Sequence, residues 1–125
     1  MTTRSECSTA AILDDMTRLG IAAGGTKCDN STPFFSVLNW FRFSGLGGTK
    51  LLSSSPGPYQ CGTNYPGWYS GSYPNTGETM TVTVCFATAA IDCQYSHTIA
   101  ISNCSSFYIY GLTTVPVCDA RYCTE

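Results

Sequence analysis

Thr79-Met80-Thr81-Val82-Thr83-Val84-Cys85-Phe86 alternates without interruption. Successive side chains of a strand point to opposite faces, so Met80, Val82, Val84 and Phe86 share one side and the threonines line the other. That is the pattern of a sheet with one face buried and one face wet. Outward from this run towards the C-terminus, His97 to Cys104 places Ile99 and Ile101 inward, and Phe107-Tyr108-Ile109-Tyr110 continues into Leu112. The short gaps between these runs predict an antiparallel meander. Towards the N-terminus, Val37 to Phe43 is aromatic and β-prone, and Phe34 to Val37 is a candidate free strand edge. Residues 61–77 are dense in Gly, Pro, Asn and Tyr and read as irregular loops. The one helical signal has Ser8 as N-cap, Ile12, Met16 and Leu19 at helical spacing, and Gly20 as the stop. The expectation is a small, disulfide-rich antiparallel β domain, mostly β with a short N-terminal helix. It is one domain over residues 1–125, with a helical segment at about 8–20 and a β-rich body at about 34–125.

Eight cysteines spread over almost the whole length, with no Cys-x-x-Cys pair and a single histidine. Zinc needs clustered ligands that converge on one ion, which this spacing does not offer, so the cysteines read as a disulfide framework formed outside the cell. Charged residues are only 11% of the chain, and the net charge is −2. Without a Lys/Arg cluster there is nothing to track a phosphate backbone, which excludes nucleic acid as a partner. No apolar run is long enough to cross a bilayer. Met1 to Glu6 is polar and lacks a signal core, so the numbered chain is expected to be a mature or excised form of a secreted protein.

Catalysis finds little support. A hydrolytic triad would have to be Asp92, His97 and a serine, and Asp14, Asp15, Glu78 and Asp119 offer no carboxylate pair of glycosidase type. No motif calls for a cofactor or a metal. Two N-glycosylation sequons are present. Asn30-Ser31-Thr32 lies in a polar connector, where Pro33 lowers its chance of modification, and Asn103-Cys104-Ser105 is the poorer case because its cysteine is expected inside a sheet. Tyr65, Trp68, Tyr69 and Tyr73 crowd one region and are candidate contact residues for a protein or glycan, with Trp68 read first as core. Trp40 and Arg42 share a strand face, which predicts a structural cation–π contact.

The order of landmarks is more specific. Trp40-Phe41-Arg42-Phe43, Gly45 and Gly48 are followed by Cys61-Gly62-Thr63, Pro66-Gly67-Trp68, Gly71 and Pro74. Then come Glu78, Val84-Cys85-Phe86, Phe107-Tyr108-Ile109-Tyr110-Gly111-Leu112, Pro116-Val117-Cys118 and Tyr122-Cys123. This resembles the domain of eight cysteines of uromodulin and the pancreatic zymogen-granule membrane glycoprotein, most closely over residues 37–125. Spacing alone leaves on the order of 100 pairings open. The resemblance implies Cys7–Cys104, Cys28–Cys118, Cys61–Cys123 and Cys85–Cys93. Fuller members carry a further bridge at the positions of Ser55 and Asp92, both lost together here. In the uromodulin member of the family a glycan just after the Tyr-x-Tyr motif acts as a decoy for bacterial adhesins; that position is Gly111, so the decoy role does not carry over. Tyr73 stands where relatives often have His. The implied function is a secreted, non-catalytic module for extracellular recognition or assembly, whose partner is an extracellular protein, a glycan or itself. The alternative is a self-assembling structural protomer of an extracellular glycoprotein filament.

Overall fold

The alternating run is an inner strand of a seven-stranded sheet. The computed structural model describes residues 5–125. The strands are β1 (Ala11–Leu13), β2 (Asn39–Phe43), β3 (Tyr65–Trp68), β4 (Thr79–Phe86), β5 (Tyr95–Asn103), β6 (Tyr108–Leu112) and β7 (Ala120–Tyr122), in the order β1-β2-β6-β5-β4-β3-β7. β4, β5 and β6 form an antiparallel meander, β4 and β5 pairing from Thr79↔Ser102 to Phe86↔Tyr95. The outer pairs make the sheet mixed, since β1 runs parallel to β2 and β7 parallel to β3. Val82, Val84, Phe86, Ile99 and Ile101 are buried together with Phe41, Phe43, Tyr110, Leu112 and Tyr122, while Thr79, Thr81 and Thr83 stay exposed. The alternation therefore sets the sheet's two faces as its periodicity requires.

Four disulfides join Cys7 to Cys104, Cys28 to Cys118, Cys61 to Cys123 and Cys85 to Cys93. The last closes the turn between β4 and β5, and the first three tie segments 62 to 97 positions apart. On the loop-entropy account, each of the long ties restricts the unfolded chain by about 4 kcal/mol, less any strain.

Three expectations are corrected. The helix at about 8–20 is a single turn, α1 (Glu6–Thr9), followed by β1 and a 3₁₀ turn at Met16–Arg18. Cys7 fixes α1 beside Cys104, and β2 takes up the backbone of Ala11–Leu13. A helix would have buried Ile12 and Met16, yet they are 54% and 55% exposed, and Leu13 and Arg18 are buried instead. Here pairing to a sheet edge overrides a periodicity that was only locally favourable. Second, Phe34 to Val37 is not a strand: Phe34 turns into the core 5.0 Å from Phe41, and Thr114 donates its N–H to the carbonyl of Phe35. Third, residues 61–77 contain β3. Gly67 lets that strand lie close under the sheet's core, because a Cβ there would come within 2.7 Å of the Phe86 ring and 2.8 Å of the Arg121 carbonyl.

A buried ion network joins the N-terminal segment to β7. Arg18 donates two hydrogen bonds to the Asp29 carboxylate (2.8 and 2.9 Å) and a third to the Tyr122 carbonyl. Asp29 also accepts from the Tyr122 N–H at 2.9 Å. Arg121 bonds Asp15 at 2.7 Å and the Thr17 hydroxyl at 2.7 Å. Each buried guanidinium thus faces a carboxylate, as buried charges must.

Candidate recognition surface

Strand alternation in β2 sends Phe41 and Phe43 into the core and Arg42 to the opposite face. The turn between β5 and β6 then sets Phe107 against it. The Asn103 side-chain oxygen accepts the Ser105 N–H at 2.8 Å, and Cys104 N–H donates to the Phe107 carbonyl at 2.8 Å. The Arg42 guanidinium lies 3.8 Å from the centroid of Phe107. The cation–π partner is therefore Phe107 and not Trp40, because the turn brings an aromatic face directly over the guanidinium.

A second cation lies nearby. Lys50 Nζ sits 4.5 Å from the Tyr73 ring centroid and 5.8 Å from that of Tyr108. Tyr73 is the hub of an aromatic cluster, 4.6 Å from Tyr108, 5.7 Å from Tyr69 and 6.4 Å edge-on to Tyr110. The Tyr110 hydroxyl donates to that of Tyr73 at 3.1 Å, and Tyr69 donates to the Ser72 carbonyl at 2.5 Å. Burial pushes the phenols of Tyr73 and Tyr110 above their ordinary range, so this cluster brings no negative charge to the lysine. Arg42, Lys50, Thr49, Ser105, Ser106 and Phe107 line a recess of about 300 Å³ that contains no carboxylate.

The four candidate contact residues do not form one patch. Tyr69 and Tyr73 belong to the cluster just described. Tyr65 packs 5.8 Å from Tyr95, and Trp68 is half-buried, its ring N–H donating to the Asp92 carbonyl at 2.9 Å. Sequence reading missed Lys50, Arg42 and Phe107 as members of a common recess. The motif gave Arg42 a same-face neighbour, but nothing local places Phe107 or Lys50 beside it.

Asn30 is exposed, and its side chain makes no hydrogen bond among the described residues. Asn103 is committed on both ends of its amide, to the Pro74 carbonyl at 2.9 Å and to Ser105 N–H. At Gly111 the Leu38 side chain lies 2.8 Å from where a Cβ would stand, so an apolar cover lies over this β6 position. His97 bonds the Thr113 hydroxyl at 2.6 Å, whereas Asp92 accepts from Ser55 at 2.8 Å. His97 and Asp92 are thus each bonded to another residue and not to one another. Among the described residues Cys28, Cys118 and Asp119 gather their ligand atoms, but the two sulfurs are bonded to each other and offer no thiolate. No helix of the described residues is long and apolar enough to cross a membrane.

Comparison with known proteins agrees with this architecture. The family model described as the uromodulin-like domain of eight cysteines matches residues 41–124. The chain is 31% identical over 121 residues to uromodulin of Mus musculus and 30% identical over 121 residues to that of Rattus norvegicus. It is 28% identical over 121 residues to the pancreatic secretory granule membrane major glycoprotein of Homo sapiens. These alignments cover 94–95% of this chain but only 18–22% of the relatives, so the chain spans about a fifth of their length.

Proposed function

The chain belongs to the uromodulin-like family of eight-cysteine domains, and from that premise we propose that it is a secreted module for extracellular recognition that makes its contacts through the recess between Lys50 and Arg42. The module is extracellular and non-catalytic, as its family is. One observation carries the choice of surface: two cations stand on aromatic rings, neither making an ion pair among the described residues, in a recess whose lining holds no carboxylate. Disulfides keep the walls of such a site in place before a ligand arrives, which lowers the ordering cost of binding. The test is to display the oxidised chain to a glycan array and to a panel of extracellular glycoproteins. Binding is expected to require the intact bridges and to fall with Lys50→Glu. A partner held equally well by the reduced chain, or by the Lys50→Glu variant, overturns this assignment. Asn30 is proposed as a glycan acceptor; a mass shift on enzymatic removal of N-glycans from secreted material checks it.

A second reading, a self-assembling protomer of a filament, has its own observation. β1 is the end of the sheet, hydrogen-bonded on one side only, and Ile12, Phe35, Val37 and Leu38 are exposed beside it. An unpaired edge flanked by apolar side chains can pair with a second copy. Light scattering at rising concentration should then show growing species that Ile12→Lys suppresses, whereas a strict monomer rules the reading out.

A further inference from the structure

We propose that the recess walled by Arg42 and Lys50 binds the acidic group of a saccharide, a sugar carrying a carboxylate or a sulfate. This rests on the recognition reading above and adds the chemical class of the ligand.

The five described cationic side chains are used unequally. Arg18 and Arg121 are neutralised by Asp29 and Asp15 inside the protein. Among the described residues neither the Arg42 guanidinium nor the Lys50 ammonium makes a hydrogen bond or ion pair, although both line one recess. An aromatic face attracts a cation without satisfying its N–H donors, so both groups keep their hydrogen bonds available. Arg42 Nε is buried and has no hydrogen-bond partner among the described residues, a state it shares with the Nε of Arg18 and Arg121, so the availability of the guanidinium rests on its other donors. A guanidinium fork matches the paired oxygens of a carboxylate or sulfate, and an ammonium adds a point charge.

The remainder of the lining selects the carrier of that charge. Thr49, Ser105 and Ser106 are exposed residues whose hydroxyls make no hydrogen bond among the described residues, so they can meet the hydroxyls of a sugar ring. A volume of about 300 Å³ lies at the small end of ligand sites and suits a terminal sugar unit. The recess presents neither an open strand edge nor an aliphatic socket, the two features by which a peptide would be held. Acidic sugars are therefore favoured over acidic peptides.

The test is calorimetric or NMR titration of the native, oxidised chain with four probes: sialyllactose for the carboxylate, a heparin tetrasaccharide for the sulfate, lactose as the neutral control, and hexaglutamate. At least one acidic sugar should bind, with lactose roughly tenfold weaker or more, and Lys50→Glu should weaken that binding roughly tenfold. Lys27→Glu makes the same charge change at an exposed lysine outside the recess and should leave the affinity unchanged. Intact mass showing four bridges confirms that each variant is folded. Lactose binding as tightly as the acidic sugars, or hexaglutamate binding more tightly than either, overturns the acidic-sugar assignment while recess recognition stands; Lys27→Glu matching Lys50→Glu overturns the recess as the binding site. Silence from all four probes overturns the sugar assignment; if the array and glycoprotein panel are also silent, recess recognition fails with it.

Discussion

Asp29 is the acid on which two buried guanidiniums depend. It accepts two bonds from Arg18 and one from the Tyr122 backbone, and Arg121 Nε approaches it to 3.7 Å. Asp29→Asn preserves the shape and removes the charge, leaving Arg18 unpaired in the interior. A loss of about 3 kcal/mol in urea denaturation is expected, and an unchanged midpoint contradicts this role. Asp15 carries a pH signature. Burial raises its pKa, but hydrogen bonds from Thr17 and Arg121 outweigh that and hold it well below the usual carboxylate range. The folded state thus binds the proton more weakly than the unfolded chain does. Its stabilisation is complete above the ordinary carboxylate pKa near 4 and fades as the pH falls below that value. Asp15→Asn should therefore lower the melting temperature at pH 6, and its curve should converge on that of the unaltered protein in acid. A gap that stays constant with pH would show that the carboxylate does not titrate in this way. None of this network was legible beforehand. Asp14 and Asp15 fall in the stretch at about 8–20 expected to be helical, and Arg121 lies 106 positions from Asp15.

At the level of elements, legibility followed how much of the evidence was local. β4 was readable because eight residues of alternation leave a single answer, and its partner β5, with β6 beyond it, followed from the short connections. β1 and β3 were not. Each is short, three and four residues, and each exists because a neighbouring strand accepts its backbone. Cys–Cys pairing was reachable only through the resemblance, and the recess not at all, since its walls come from β2, the segment before residue 51 and the β5–β6 turn. The β6 position Gly111 offers a test of surface cover. Gly111→Asn would create an Asn-Leu-Thr sequon with Leu112 and Thr113. The three nearest heavy atoms to a new Cβ there, at 2.8 to 3.0 Å, all belong to the half-exposed Leu38 side chain, which can swing aside. The variant should fold with a loss below about 1.5 kcal/mol and should acquire a glycan in a secretory host. Failure to fold, with rescue by Leu38→Ala, would instead show that Leu38 is held rigidly.

For the whole molecule, the contact between Ser55 and Asp92 joins the loop after Leu52 to the turn between β4 and β5. These are the positions where the resemblance implies a further bridge in fuller members, and here a 2.8 Å hydrogen bond links them. Ser55→Cys with Asp92→Cys should yield a fifth disulfide and gain up to about 3 kcal/mol, less than a free loop of that span would give because existing bridges already shorten it. Thiol labelling of the folded double variant reads the outcome; two reactive thiols show that the positions are not aligned for bonding. The arrangement of the four natural links has a further consequence. A single backbone cut anywhere between Cys7 and Cys123 leaves its two pieces covalently joined, because every such cut is spanned by at least one cystine. In a fluid rich in proteases the module can therefore be nicked without shedding a fragment, and the damage would show only on a reducing gel.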